Sequence, residues 1–154
     1  MIETKFSELY QNLIQTIGTY IKNPVSLELI ERAFLVGEKY HANQFRKNGD
    51  PYFTHPIAVT QILAEMHAGP ETLAAGLLHD TLEDTDLPKA ELTALFGTEI
   101  SNLVEGVTKI SKVESKTDTT QVEYQQKMLI AMATDIRVVI IKIADRLHNM
   151  RTLK

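Results

Sequence analysis

The chain contains no cysteine. That excludes a disulfide scaffold, a thiolate zinc site and a cysteine nucleophile. No stretch approaches the roughly 18 apolar residues of a membrane span, and the N-terminus, MIETKFSELY, lacks the apolar core of a signal peptide. Both absences lead to an expected cytoplasmic location with no membrane partner. Positive charge is also scarce: 16 Lys and Arg against 20 Asp and Glu leave a net charge of −4. Such a chain is expected neither to grip nucleic acid nor to coat an anionic membrane, because both require a clustered positive surface. A small phosphorylated ligand, held by a metal and a few local cations, remains compatible with that charge. With 7 Gly and 5 Pro, and with 44% hydrophobic against 23% charged residues, the composition excludes a fibre, a low-complexity array and a disordered tail. The 154 residues suffice for one buried core, and residues 1–154 are read as a single domain with no internal repeat or linker.

What is present is mostly helical periodicity. Residues 3–22 carry Phe6, Leu9, Leu13, Ile14 and Ile17, with Asn23-Pro24 as a stop. Ser26 is the expected N-cap of a second helix bearing Leu27, Ile30, Ala33, Phe34 and Tyr40. Residues 46–51, RKNGDP, are dense in turn formers and read as a loop. Pro56 suits the first turn of a third helix, with Ala58, Val59, Ile62, Leu63 and Met66 as its buried stripe. A helix then runs from beyond Pro70 through Leu73, Leu77 and Leu78 to about Asp84. Pro88 opens a short one ending at Gly97, and Thr98 caps the next. Residues 111–121 are expected to be a polar, mobile segment. The β-branched run Val138–Ile143 has strand propensity, yet Asp135 is a good N-cap and a lone strand would leave its backbone groups unsatisfied. It is read as a buried helix, and the whole as an all-α globule of seven or eight helices.

Chemistry is expected where polar residues interrupt apolar stripes. In LAAGLLHDTLEDT, helical spacing puts His79, Asp80, Glu83 and Asp84 within an arc of roughly 140°. Three carboxylates and an imidazole crowded against a core repel one another unless a cation is shared among them. A solvated acidic helix end is the alternative. Two further interruptions count against it: His55 beside Pro56, and Asp145 inside the apolar run, where a charge calls for a partner or a metal. The set His55, His79, Asp80 and Asp145 offers nitrogen and oxygen ligands that suit Mn²⁺, Fe²⁺ or Zn²⁺ better than Ca²⁺ or Mg²⁺.

The spacing of His55, His79-Asp80 and Asp145 resembles the H…HD…D pattern of the HD phosphohydrolase superfamily. Four segments are more specific: HANQFRKNGDPYFTHPIAV, LAAGLLHDTLEDT, LFGTEISNLVEGVTKISK and IKIADRLHNMRTL. Together, and over residues 25–154, they resemble the N-terminal hydrolase domain of the RelA/SpoT family, whose members make and degrade guanosine tetra- and pentaphosphate. The resemblance implies a compact HD-domain fold with one Mn²⁺ in a central cleft, held by His55, His79, Asp80 and Asp145. It implies that Glu83 and Asp84 act on the attacking water, and that Arg46, Lys47, Asn149 and Thr152 contact the nucleotide, Arg46 by packing on guanine. The implied reaction removes the 3′-diphosphate, giving pyrophosphate and GDP or GTP. Asn48 and Asp50 depart mildly from the Ser and Glu more usual in that loop. Family members run further than Lys154, so the expectation is an N-terminal fragment of a bifunctional enzyme with synthetase and regulatory domains in cis. A regulatory domain that binds the nucleotide with weak turnover, or an HD phosphohydrolase for another nucleotide, are the alternatives.

The remaining histidines are expected to be structural: His67 as a helix C-terminal cap and His41 as a packed or surface residue, with His148 a supporting neighbour of the site. Lys109 and Lys112 read as a solvated face, and Met128 and Met132 as core.

Overall fold

Asn23-Pro24 opens a helix instead of closing one. In the computed structural model, which describes residues 2–115, 123, 126, 130 and 135–152, α1 (Ile2–Gly18) ends before this dipeptide and α2 (Pro24–Tyr40) begins on it. The Asn23 side chain accepts from the Val25 amide at 2.8 Å, and Pro24 enters the first turn, where its missing N–H leaves nothing unsatisfied. Ser26, the expected cap, therefore lies inside the helix.

Six helices follow: α3 (Thr54–Glu65), α4 (Pro70–Leu78), α5 (Thr81–Asp84), α6 (Lys89–Phe96), α7 (Thr98–Ser115) and α8 (Ile136–Thr152). The fold is all-α among the described residues, where an isolated bridge between Phe45 and Pro51 is the sole β pairing. No helix among them is long and apolar enough to cross a membrane. Thr98 is the first residue of α7, not its cap; the preceding turn is made by Gly97 at φ +93°, a backbone region that favours glycine. Of the segment expected to be mobile, residues 111–115 instead form the end of α7, while residues 116–121, Met128 and Met132 lie outside the described residues.

The helices α3 and α4 form the centre. The first packs on α1, α4 and α8, and the second on α2, α3 and α7. Such a position calls for apolar residues on every face. In α4 all of Thr72–Leu78 is buried, and in α3 Ile57, Val59, Ile62, Leu63 and Ala64 are. Close approach is set at Gly37 of α2, where a Cβ would meet the Phe53 ring at 2.5 Å and Leu77 O at 3.1 Å. Met66 does not belong to the buried stripe; it falls beyond the last turn of α3 and is 60% exposed. His67 then reverses the chain at φ +59°, with its ring stacked on Tyr20, so it ends the helix through its backbone conformation. The segment Val138–Ile143 is helical. Asp135 caps it by accepting from the Arg137 amide at 3.0 Å, and Val138, Val139 and Ile141 are buried.

Candidate functional site

A single unbroken helix does not carry His79, Asp80, Glu83 and Asp84. It is interrupted at His79 and Asp80, between α4 and α5. Side chains displace the regular backbone pattern there: His79 Nδ1 bonds Gly76 O at 2.7 Å, and the Thr81 hydroxyl donates to Leu78 O at 2.7 Å. Because a carbonyl only accepts, His79 Nδ1 carries the proton. That directs the other ring nitrogen, Nε2, to 3.2 Å from Asp80 Oδ2 and 3.3 Å from Asp145 Oδ1.

His55, in the first turn of α3, completes the cluster. Its Nε2 lies 2.5 Å from Asp145 Oδ1, and its Nδ1 lies 2.6 Å from His148 Nδ1, so one of the latter two nitrogens donates to the other. His148 therefore supports His55 directly. His55 and His79 are almost fully buried and Asp145 is 6% exposed. The ligand atoms of His55, His79 and Asp80 lie within 4.8 Å of one another and could hold a metal ion. Asp145, which contacts both histidines, adds a second carboxylate. A histidine nitrogen lone pair aimed at two carboxylates is repelled unless a proton or a metal cation lies between them, so the donor chemistry fits a divalent ion.

The electrostatics reflect this crowding. Burial opposes ionisation of Asp145 and Asp80. The hydrogen bonds from His55 and His79 nevertheless hold Asp145 well below the usual carboxylate range, and the neighbouring His79 takes Asp80 down to about 2. Burial works against protonated His79 too, but Asp80 and Asp145 raise it well above an ordinary histidine. His55 is lowered by burial, and His148 falls to about 4 through burial and the nearby His55 and Arg46. Asp84 is raised by burial and by the Asp80 charge.

A cleft of about 610 Å³ opens over this cluster. Its walls include His55, Asp80 and Asp145, and also Arg46, Lys47, Glu83, Asp84, Asn149 and Thr152. The residues singled out in the sequence are thus brought together, with His79 behind the lining. The loop between α2 and α3 holds Arg46 by main-chain bonds to Asp50 and Gly49, and the Asn48 side chain accepts from the Asp50 amide at 2.9 Å. Arg46 Nη2 donates to Asn149 Oδ1 at 3.1 Å, whereas its buried Nη1 has no partner among the described residues. Thr152 donates to carbonyls one turn back in α8. Lys109 is exposed and pairs with Glu105 at 3.7 Å, as a solvated face would; the Lys112 side chain lies outside the described residues.

Three contributors escaped the sequence reading. The Tyr52 hydroxyl donates to Asp80 Oδ2 at 2.7 Å and is raised by its burial and that carboxylate. Lys142, 3% exposed, reaches both Asp145 Oδ2 and Ser111 Oγ at 3.0 Å. Its signal was the one that exposed Asp145, a charge inside an apolar run. Gln44 links His41 Nδ1, at 2.8 Å from its Oε1, to Asp84 O, at 2.8 Å from its Nε2. His41 itself is a buried packing residue against Tyr52 and Phe53.

The HD domain family matches residues 33–154. Among curated proteins, a Streptomyces coelicolor protein named GTP pyrophosphokinase is 54% identical over 84% of this chain and 15% of its own length. A Spiroplasma citri protein named guanosine-3′,5′-bis(diphosphate) 3′-pyrophosphohydrolase is 47% identical over 94% of this chain and 19% of its own. The Escherichia coli K12 protein named bifunctional (p)ppGpp synthase/hydrolase SpoT is 46% identical over 94% of this chain and 21% of its own. The chain thus spans about a fifth or less of the length of these relatives.

Proposed function

Since this chain belongs to the HD domain family, with relatives of the RelA/SpoT kind, we propose that it is a Mn²⁺-dependent guanosine-3′,5′-bis(diphosphate) 3′-pyrophosphohydrolase. It cleaves guanosine tetra- and pentaphosphate to pyrophosphate and GDP or GTP. The observation that carries this reading is one cleft combining a nitrogen–carboxylate cluster, two further acids and two cations on a loop. Of the three relatives described, one is named for hydrolysis, one for synthesis and one for both. The hydrolase half of that pair of activities suits the residues in this cleft.

In this reading His55, His79, Asp80 and Asp145 hold one ion. When bound, it supplies positive charge against the phosphoryl oxygens and acidifies water. Glu83 and Asp84 orient the attacking water and carry its proton, and the raised Asp84 is the better placed to accept one. The Arg46 guanidinium, steadied by Asn149, offers a flat cation for stacking on guanine. Lys47, Asn149 and Thr152 contact the rest of the nucleotide. Residues 1–154 act as the hydrolase domain, working in the cytoplasm with synthetase and regulatory domains in cis.

The deciding experiment incubates the Mn²⁺-loaded protein with guanosine tetraphosphate and separates the products. GDP and pyrophosphate in equal amounts are expected. Binding without turnover would make the domain a nucleotide sensor instead. Turnover of other nucleotides alone would change the substrate.

A further inference from the structure

Lysine is among the residues least often buried, and then only when paired. Lys142 is 3% exposed, with Nζ 3.0 Å from Asp145 Oδ2 and 3.0 Å from Ser111 Oγ. The two oxygens of Asp145 thus have different partners. Oδ2 faces the ammonium, while Oδ1 faces Nε2 of both His55 and His79. A carboxylate able to rotate would present either oxygen, or both, to an ion among the histidines. The ammonium removes that freedom, and Ser111 on α7 fixes the ammonium in turn, because a hydroxyl acceptor occupies one of its three donor directions.

On the reading that His55, His79, Asp80 and Asp145 hold a divalent ion, we infer that Lys142 is a positioning residue for the metal, holding Asp145 Oδ2 so that Oδ1 faces the two histidines, and serving as counter-cation to Asp145 while the ion is away. Two consequences separate this from a lysine that merely packs. Without the ammonium, the metal-free protein contains a buried carboxylate short of a cation, a strongly destabilised arrangement. An incoming divalent ion then supplies the missing charge, so it stabilises such a variant more than it stabilises the parent. A lysine important only for packing would lower metal-free and metal-loaded stability equally.

The test measures Tm with and without saturating Mn²⁺ for the parent protein, Lys142→Met, Lys142→Arg and Ser111→Ala. Lys142→Met keeps most of the side-chain volume. Its metal-induced rise in Tm should exceed the parent's by roughly 3 °C or more, given 2–4 °C per kcal/mol at this chain length. Lys142→Arg retains the charge and should restore the parent's rise. Ser111→Ala loosens the ammonium and should shift the rise in the same direction by a smaller amount; it decides the matter if Lys142→Met does not fold. Equal rises in the parent and in whichever of Lys142→Met and Ser111→Ala folds would overturn the role of Lys142 while leaving the metal reading intact. No rise in the parent would overturn the metal reading itself, and this role with it.

Discussion

The Tyr52 hydroxyl lies between two carboxylates, donating to Asp80 Oδ2 at 2.7 Å and standing 3.4 Å from Asp84 Oδ2. One residue from the loop before α3 thus connects the candidate metal cluster to the candidate acid–base pair. Outer partners of this kind orient ligands, and their loss typically lowers metal affinity or activity about 10- to 100-fold. Tyr52→Phe is expected to fall in that range for Mn²⁺ affinity by titration calorimetry while keeping its Tm, since the ring still packs on His41. Unchanged affinity would reduce the hydroxyl to a passenger.

The acids divide into two groups. Asp80→Asn and Asp145→Asn should lose bound Mn²⁺, read by elemental analysis. Glu83→Gln and Asp84→Asn should retain it and lose about 10²- to 10⁴-fold in kcat, the usual size of an acid–base contribution. Near-parental kcat in both amide variants would make Glu83 and Asp84 a solvated helix end.

Arg46→Lys preserves charge but not the flat fork that reaches Asn149. The expected outcome is a KM raised by about 3- to 30-fold, matching ~0.5–2 kcal/mol of cation–π contact, with metal content intact. If metal content collapses and KM holds, the loop has only a structural role.

At the start of α8, Asp135 faces Arg137, with Oδ2 to Nη2 at 2.7 Å, and Arg137 also reaches Glu99 at 2.7 Å. The hydrogen bonds from Arg137 hold the Asp135 carboxyl below its ordinary value. A lowered carboxyl stabilises the fold fully above its unfolded pKa of about 3.9 and loses that contribution as pH falls through the lower folded value. Asp135→Asn keeps a capping oxygen and removes the charge. Urea unfolding of the metal-free proteins should show a deficit of about 0.5–1 kcal/mol at pH 7 for this partly exposed pair, closing as pH drops below about 4. A deficit that persists in acid would assign it to geometry.

The sequence made α8 legible because two independent signals agreed: a capping aspartate, and the absence of any strand to pair with Val138–Ile143. The α4–α5 break was not legible, since periodicity is blind to a histidine or threonine that takes a carbonyl from its own helix. Asn23-Pro24 carries both a stop and a start signal, and only the Asn23 bond to Val25 shows which applies. Arg46, Glu83, Asp84 and Asn149 could be named from motif text, and the fold gathers them in one cleft. Tyr52 and Lys142 belong to the same site, yet their roles depend on partners 28 and 3 residues away in sequence, on oxygens that only the folded chain turns toward them.

Asp145, Asn149 and Thr152 all line the cleft from one helix, α8. A helix advances ~1.5 Å per residue, so from Asp145 to Thr152 it marks off about 10 Å, with Asn149 and the Arg46 it steadies a little past midway. The cleft therefore carries a built-in ruler. On the proposed reading, the nucleotide brings its phosphates to the acidic end and its base to the loop end, and a molecule too short to touch both marks would lose one set of contacts. Selection by length would then follow from helical rise, with no side chain assigned to exclude anything.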